Sequence, residues 1–448
     1  MHQRVLAVEV IFLVSVVLTG YWGTGVVYAA DKKEALDSKA EPSKAPEEIV
    51  NPHLPHVRFF FQDLQMDFFF GSLILGAAVN HVCEIGEAFY TAAQIKDGDA
   101  ASWQQEWLKT ARLVEARGEK ALAGGHQVSA RDQLQRASYY YRAALCPMPS
   151  EDPQFKEIAL KSRALLKKAG TLFEPQLEYV EIPFEGTVLP GYFRKAAPGK
   201  TPRQTLIMVG GAETFAEDLF FYIAPQAFDR GYNFLTVDLP GQGLLPLEGK
   251  FLRPAMHVPV KAVVDYALGR RDVDPRRLAV YGYSTGGTIA PQAAMHDQRI
   301  KAVVASPCVV DVHAETAKTP QATATPEVVK GWSSFKRGTN QALAWRFGLK
   351  TDNIPGLVEA TKGFVFDPAK VTVPPLIIVA IGEYQSQETQ RQTKLCMDNL
   401  PNPKKKLVIT PAEEGAPNHC MMENRSLVGQ VVFDWLDEVF KEAKPKQN

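Results

Sequence analysis

From Phe59 to about Gly170, apolar residues recur at three- and four-residue intervals, the period of a helix with one buried face. ASWQQEWLKTARLVEARGEKAL sets Trp103, Trp107, Leu108 and Ala111 on one stripe. SARDQLQRASYYYRAALC and FKEIALKSRALLKKAG continue the rhythm, with Ser129 the expected N-cap of the former. From Leu177 the pattern changes. LEYVEIPFEGTVLPGYFRK alternates around Glu185-Gly186 and predicts a hairpin. TLIMVGG, YNFLTVDLPG, RLAVYGYS, KAVVASP, PLIIVAIG and KKLVITP are short apolar runs separated by helical patterns. Such alternation predicts an α/β fold, a mostly parallel sheet covered by helices on both faces. The break at Gly170 to Pro175 separates an all-helical region, residues 58–174, from the α/β region, residues 175–448. An insertion over about 312–366, holding PEVVKGWSSFKRG and NQALAWRFGL, is too long for a plain connection and predicts a lid or pocket wall. The aromatic clusters Phe59–Phe61, Phe68–Phe70 and Tyr139–Tyr141 read as core.

Upstream of the helical region, Arg4 precedes VLAVEVIFLVSVVLTG and TGVVYAAD. A short basic start, an apolar middle and a small-residue site predict an export signal over residues 1–29, cut after Ala29, and a periplasmic or secreted protein. The competing expectation is an uncleaved N-terminal membrane anchor, because only Glu9 interrupts a run long enough to span a bilayer. The Lys-, Glu-, Ala- and Pro-rich stretch that follows predicts a flexible linker over residues 30–57. Lys plus Arg and Asp plus Glu each number 50. That balance argues against nucleic acid as a partner, which would need a clustered basic surplus. Five cysteines do not make a disulfide framework; Cys83 and Cys146 share the helical region and either pair or stay free. His53 and His56 are three apart, but Pro55 keeps them off one helix, and no cluster has metal-ligand spacing. Neither metal nor cofactor is expected.

The chemistry enters with YGYSTGGTIA, where Ser284 sits in G-x-S-x-G between a β-rich run and a helical pattern. Strand, tight turn and helix are what a nucleophile elbow requires, whereas a plain turn serine needs none of them. A serine needs a base and an orienting acid, and in such folds the chain order is serine, acid, histidine. Three histidines follow Ser284. His296 lies one helix on and would point away, and His313 is in the insertion. His419, in EEGAPNHCMMEN after the last strand, stands where the base belongs. Glu383, in the turn A-I-G-E after PLIIVA, is the expected acid, with Asp311 and then Glu388 as alternatives. The oxyanion donors are expected from the N–H of Ala212, in VGGAET, and of Thr285. DLPGQG after the next strand reads as a structural turn. Trp332, Phe335 and Trp345 on the insertion, with side chains near Phe68 to Phe70, are the expected substrate-binding lining; lid-to-core packing is the alternative for each.

These residues resemble the α/β-hydrolase superfamily over about Leu177 to Phe440. DGDAASWQQEW, SARDQLQRASYYYRAAL, VGGAETFAED and EGAPNHC resemble more narrowly the group that holds 2,6-dihydroxypseudooxynicotine hydrolase and the fungal hydrolases that shorten polyketide chains. That resemblance runs from roughly Phe60 to the C-terminus. It implies an N-terminal helical cap over the active site, often a homodimer, and a small-molecule acyl substrate cleaved at an ester or at a C–C bond beside a ketone. The chain departs from the group in its export signal and in a glutamate as the acid. Two other readings compete with a serine hydrolase of this kind. An exported peptidase of prolyl-oligopeptidase type would bring a β-propeller, and no blade-like repeat is present. A non-catalytic binding module would not need an ordered serine, acid and histidine.

Overall fold

The computed structural model describes His53 and residues 55–442. The expected export signal and all but the end of the expected linker lie outside the described residues. β1 (Leu177–Phe184) and β2 (Thr187–Arg194) form the expected hairpin. Its turn residues Glu185 and Gly186 have φ of 43° and 78°, a turn whose hand matches the twist of the strands. Six further strands follow: β3 (Arg203–Val209), β4 (Asn233–Val237), β5 (Val273–Tyr283), β6 (Ala302–Ser306), β7 (Pro375–Ala380) and β8 (Lys406–Thr410). The sheet order is β1-β2-β4-β3-β5-β6-β7-β8. β2 runs antiparallel to β1 and β4, and every other pairing is parallel. β4, β6 and β7 are buried at every position, as strands covered on both faces must be. This is the expected α/β-hydrolase arrangement.

From β3 the chain steps outward to β4 and then back across β3 to β5. At such a reversal the connections leave in opposite directions and open a crevice at the carboxyl ends of the strands. The loop after β3 and the turn after β5 therefore face each other there.

The helical region consists mainly of Ala100–Ala123, Gln127–Ala144 and Pro153–Gly170. Asp99 caps the first by accepting the Ser102 N–H, and Asp152 caps the third with Pro153 at its first position. The second begins two residues before the expected Ser129 cap. Gly125, at φ 77°, reverses the chain so tightly that His126 already stands at the N-cap, without a side-chain cap bond. Trp103, Trp107 and Tyr139 share one core with Met208 of β3, Tyr281 of β5 and Phe433 of the C-terminal helix. Most of the three aromatic clusters is core, but Phe60 is exposed, and Phe68 and Phe69 border a cavity. The disulfide joins Cys308, just after β6, to Cys396 on the helix Gln387–Asn399, while Cys83 and Cys146 are free buried thiols. The bonded pair lies 88 residues apart in sequence, where no local pattern announces it.

Candidate active site

Ser284 sits at the end of β5 with φ of 56°, and the helix Gly286–His296 starts two residues later. A non-glycine residue in this left-handed region costs about 1–3 kcal/mol and persists only where its surroundings enforce it. Here the Ser284 N–H donates to Ser306 O at 2.7 Å, and the Gly287 N–H to Ser284 O at 2.8 Å. The glycines on either side permit the turn. A Cβ on Gly282 would collide with the backbone of Gly286, and one on Gly286 would lie 2.6 Å from Val209 O. Gly211 presses on the serine itself, since a Cβ there would stand 2.8 Å from Ser284 Oγ. The VGGAET loop thus lies directly over the elbow, and Ala212 and Thr285 border one cavity with Ser284.

Glu383 lies on the one-turn helix Ile381–Tyr384 after β7, and His419 in the loop after β8. The Gly382 N–H donates to Pro417 O at 3.0 Å, which ties the two segments together. His419 Nδ1 and Glu383 Oε1 are 2.5 Å apart, and the Cys420 N–H donates to Glu383 Oε2 at 3.2 Å. Tyr222 holds the histidine loop by donating its hydroxyl to Cys420 O at 2.6 Å. Burial alone would lower the His419 imidazole; the neighbouring Cys420 sulfur and the Glu383 carboxylate reverse this and hold it well above its ordinary 6.5. His419 Nε2 is buried and bonded to no protein atom among the described residues. Ser284 and His419 border the same two cavities, with the serine hydroxyl not yet hydrogen-bonded to the imidazole. Hydrogen bonds of this kind often close only with substrate bound. Asp311 instead caps the short helix Val312–Thr316, accepting the Ala314 N–H at 3.1 Å. Glu388 pairs with Arg391 at 2.6 Å. His296 stacks on His257, and His313 Nδ1 meets Val358 O.

The loop over the serine is braced from two directions that its sequence does not announce. Gln242 of DLPGQG donates its amide to Gly210 O at 2.9 Å and to Gly211 O at 2.8 Å. From the helical region, Arg142 donates to Glu213 O at 3.0 Å and pairs with Asp218 at 2.9 Å. Arg163 pairs with Asp238 at 2.6 Å and Glu217 at 3.1 Å. Asp218 in turn accepts the Phe215 N–H, and Asp238 the Ala216 N–H, so both carboxylates also fix the start of the helix Ala216–Asp229.

A cavity of about 130 Å³ opens from Ser284 toward the insertion, lined by Val309, Val312, Leu343, Phe347 and Leu357 among threonine hydroxyls. A second, of about 60 Å³, opens toward Phe68, Phe69, Leu73 and Tyr283. Residues of the insertion line the first cavity, but Trp332, Phe335 and Trp345 border neither. Phe335 packs its ring on Trp103 with centroids 4.9 Å apart and donates its N–H to Gly98 O. Trp345 packs on Phe155, and Trp332 lies under the Lys336 ammonium. Phe335 and Trp345 thus fasten the insertion to the helical region, Trp332 packs within the insertion, and Leu343, Phe347 and Leu357 border the cavity that Ser284 shares. Two carboxyls were not expected at the site. Burial pushes Glu213 up to about 7, and burial together with the Glu383 charge pushes Glu315 up to about 7. Glu213 adjoins Ala212 in VGGAET and could have been noticed; Glu315 carries no signal in sequence.

The chain is similar to known hydrolases in sequence and in fold. Residues 89–331 match the family described as FrsA-like esterases. The hydrolase LUC6 of a Fusarium species is 32% identical over 410 residues, covering 82% of this chain and 94% of that protein. The 20-hydroxy-prefusarin hydrolase FUS2 of Gibberella moniliformis is 28% identical over 402 residues, again 82% of this chain and 94% of the relative. The crystal structure of 2,6-dihydroxy-pseudo-oxynicotine hydrolase superposes with a TM-score of 0.67 at 21% identity, covering 82% of this chain and 96% of that one.

Proposed function

The chain belongs to the FrsA-like esterase family and is an α/β-hydrolase, and on that premise we propose that it cleaves a small or medium acyl substrate through a covalent acyl-serine. The observation that carries the proposal is the His419–Glu383 pair at 2.5 Å beside a serine held at φ 56° in a shared cavity. Ser284 Oγ attacks the substrate carbonyl while His419 Nε2 takes its proton. Glu383 holds the Nδ1–H and stabilises the imidazolium that forms. The N–H groups of Ala212 and Thr285 donate hydrogen bonds to the negatively charged former carbonyl oxygen, each such donor contributing about 3–4 kcal/mol. The imidazolium returns its proton to the leaving group, and the bond between carbonyl carbon and leaving group breaks. Water, deprotonated by His419, then releases the acid and restores the serine.

An ester and a C–C bond beside a ketone share every step up to the leaving group. One observation favours the C–C reading: Glu315, held near 7, borders the same cavity and is a second proton source for a carbon leaving group. Export is part of the proposal as well. The Cys308–Cys396 disulfide supports it, because such bonds persist in oxidising compartments.

The test is labelling by a fluorophosphonate, with turnover of p-nitrophenyl esters of increasing chain length. Labelling is expected at Ser284, and Ser284→Ala should lower kcat by about 10⁴-fold or more without unfolding the protein. A folded Ser284→Ala protein that keeps its full activity would remove the basis for this function.

A further inference from the structure

The segment just before the helical region borders the site through His53. His56 donates its backbone N–H to Asn418 Oδ1 at 2.6 Å, and Asn418 immediately precedes His419. Three residues on, the N–H groups of Phe59, Phe60 and Phe61 converge on the Asp67 carboxylate at 2.8, 2.6 and 2.8 Å. The segment is thus fastened once to the histidine loop and once to the first described helix, Leu64–Phe68. Between these fastenings Val57 and Arg58 are exposed, so burial of their own side chains does not hold the segment in place.

The fastening delivers His53. Its ring stacks on Phe68 with centroids 5.1 Å apart, touches Phe69 at 5.9 Å and stands edge-on to His419 at 5.5 Å. Among the described residues, five border both cavities: His53, Ala212, Glu213, Ser284 and His419. Ser284 and His419 are the proposed reacting pair, and Ala212 and Glu213 belong to the loop over the elbow. His53 is brought there by neither the elbow nor that loop.

We propose that His53 is a specificity-determining residue that contacts bound substrate beside the scissile bond and forms the partition between the two cavities. This rests on the serine-hydrolase reading above. A substrate on Ser284 extends its acyl part into one cavity and its leaving group into the other, so both parts pass the His53 ring. Burial and the nearby His419 push the imidazole down to about 3, which keeps it neutral across the working range. A neutral ring stacked on Phe68 and tilted against Phe69 favours an uncharged group next to the reacting carbonyl, and disfavours a carboxylate there. Removing the ring would merge the cavities and relax the size limit.

The experiment compares wild type, His53→Ala and His53→Gln, all full length. Two substrate series are used: p-nitrophenyl esters from acetate to octanoate, and acetates of phenol and 2-naphthol. His53→Ala should shift the kcat/KM ratio of large over small substrate by about tenfold or more in at least one series, chiefly through KM. His53→Gln, of similar length and also neutral, should keep most of the wild-type ratio. Unchanged ratios in both series would overturn the proposal. So would an equal fall in kcat for every substrate at constant KM, which would place His53 behind His419 as a support alone. Labelling of wild-type Ser284 is the control. If it fails, the serine-hydrolase reading has failed; if it succeeds and the ratios stand still, only the role of His53 has.

Discussion

At the scale of single residues, the chemistry depends on one proton. His419 must be neutral to take the proton of Ser284, while Glu383 favours its charged form. Activity should therefore be lost as pH falls through an imidazole value above the ordinary 6.5. Glu383→Gln removes the stabilising charge, so the acid limb of the pH–kcat/KM profile should move to lower pH. The same change should lower kcat by about 10²–10⁴-fold. A limb that stays in place would argue that Cys420, and not Glu383, sets the imidazole. Ser284, Glu383 and His419 were legible because their order and their places at strand ends are local facts of the chain. His53 and Glu315 were not, since each is defined by what surrounds it, whereas Glu213 had a local signal only in its place beside Ala212. His53 lies more than 300 residues from the imidazole it touches. The aromatic residues of the insertion misled for a related reason: a tryptophan buried against a helix and one facing a cavity look alike in sequence.

Among the elements, the sheet was the most legible, because its strands are short continuous apolar runs that only a doubly covered sheet can bury. Less legible was the way the loop after β3 is held. Its glycines suggested a tight turn, but the Gln242 amide, the Arg142 guanidinium and the contact with Ser284 arise only on folding. That contact makes a local prediction. In Gly211→Ala the new methyl would meet Ser284 Cβ at 2.6 Å and must push the loop off the elbow. Since each oxyanion donor is worth about 10²–10³ in kcat, a loss of that order is expected with the melting temperature little changed. Kinetics and thermal unfolding of the one variant check both halves. Normal turnover would show that the loop has slack that the close approach does not suggest.

Taken as a whole molecule, the chain changes rhythm near Gly170 and reads as two regions, yet one face of the sheet shares its core with the helices before it. Charge crosses the same boundary: Arg142 and Arg163 reach from the helices to Asp218, Glu217 and Asp238. Removing one partner of such a pair strands a buried charge, so Arg163→Met should lower unfolding free energy by about 3–5 kcal/mol. Denaturant titration measures this, and a loss below about 1 kcal/mol would show that water reaches Asp238 once the arginine is gone. The periodicity of the sequence could not reveal these pairs, because it reports which face of a helix is apolar and nothing about the single cation on that face. The consequence reaches beyond this protein to how its relatives can exchange parts. A recombination point at the change of rhythm would look safe by sequence, but it would join arginines from one parent to carboxylates from another. Swapped helical regions should be accepted only from donors that match the charges at 142, 163, 217, 218 and 238, so this seam should be inherited as a block.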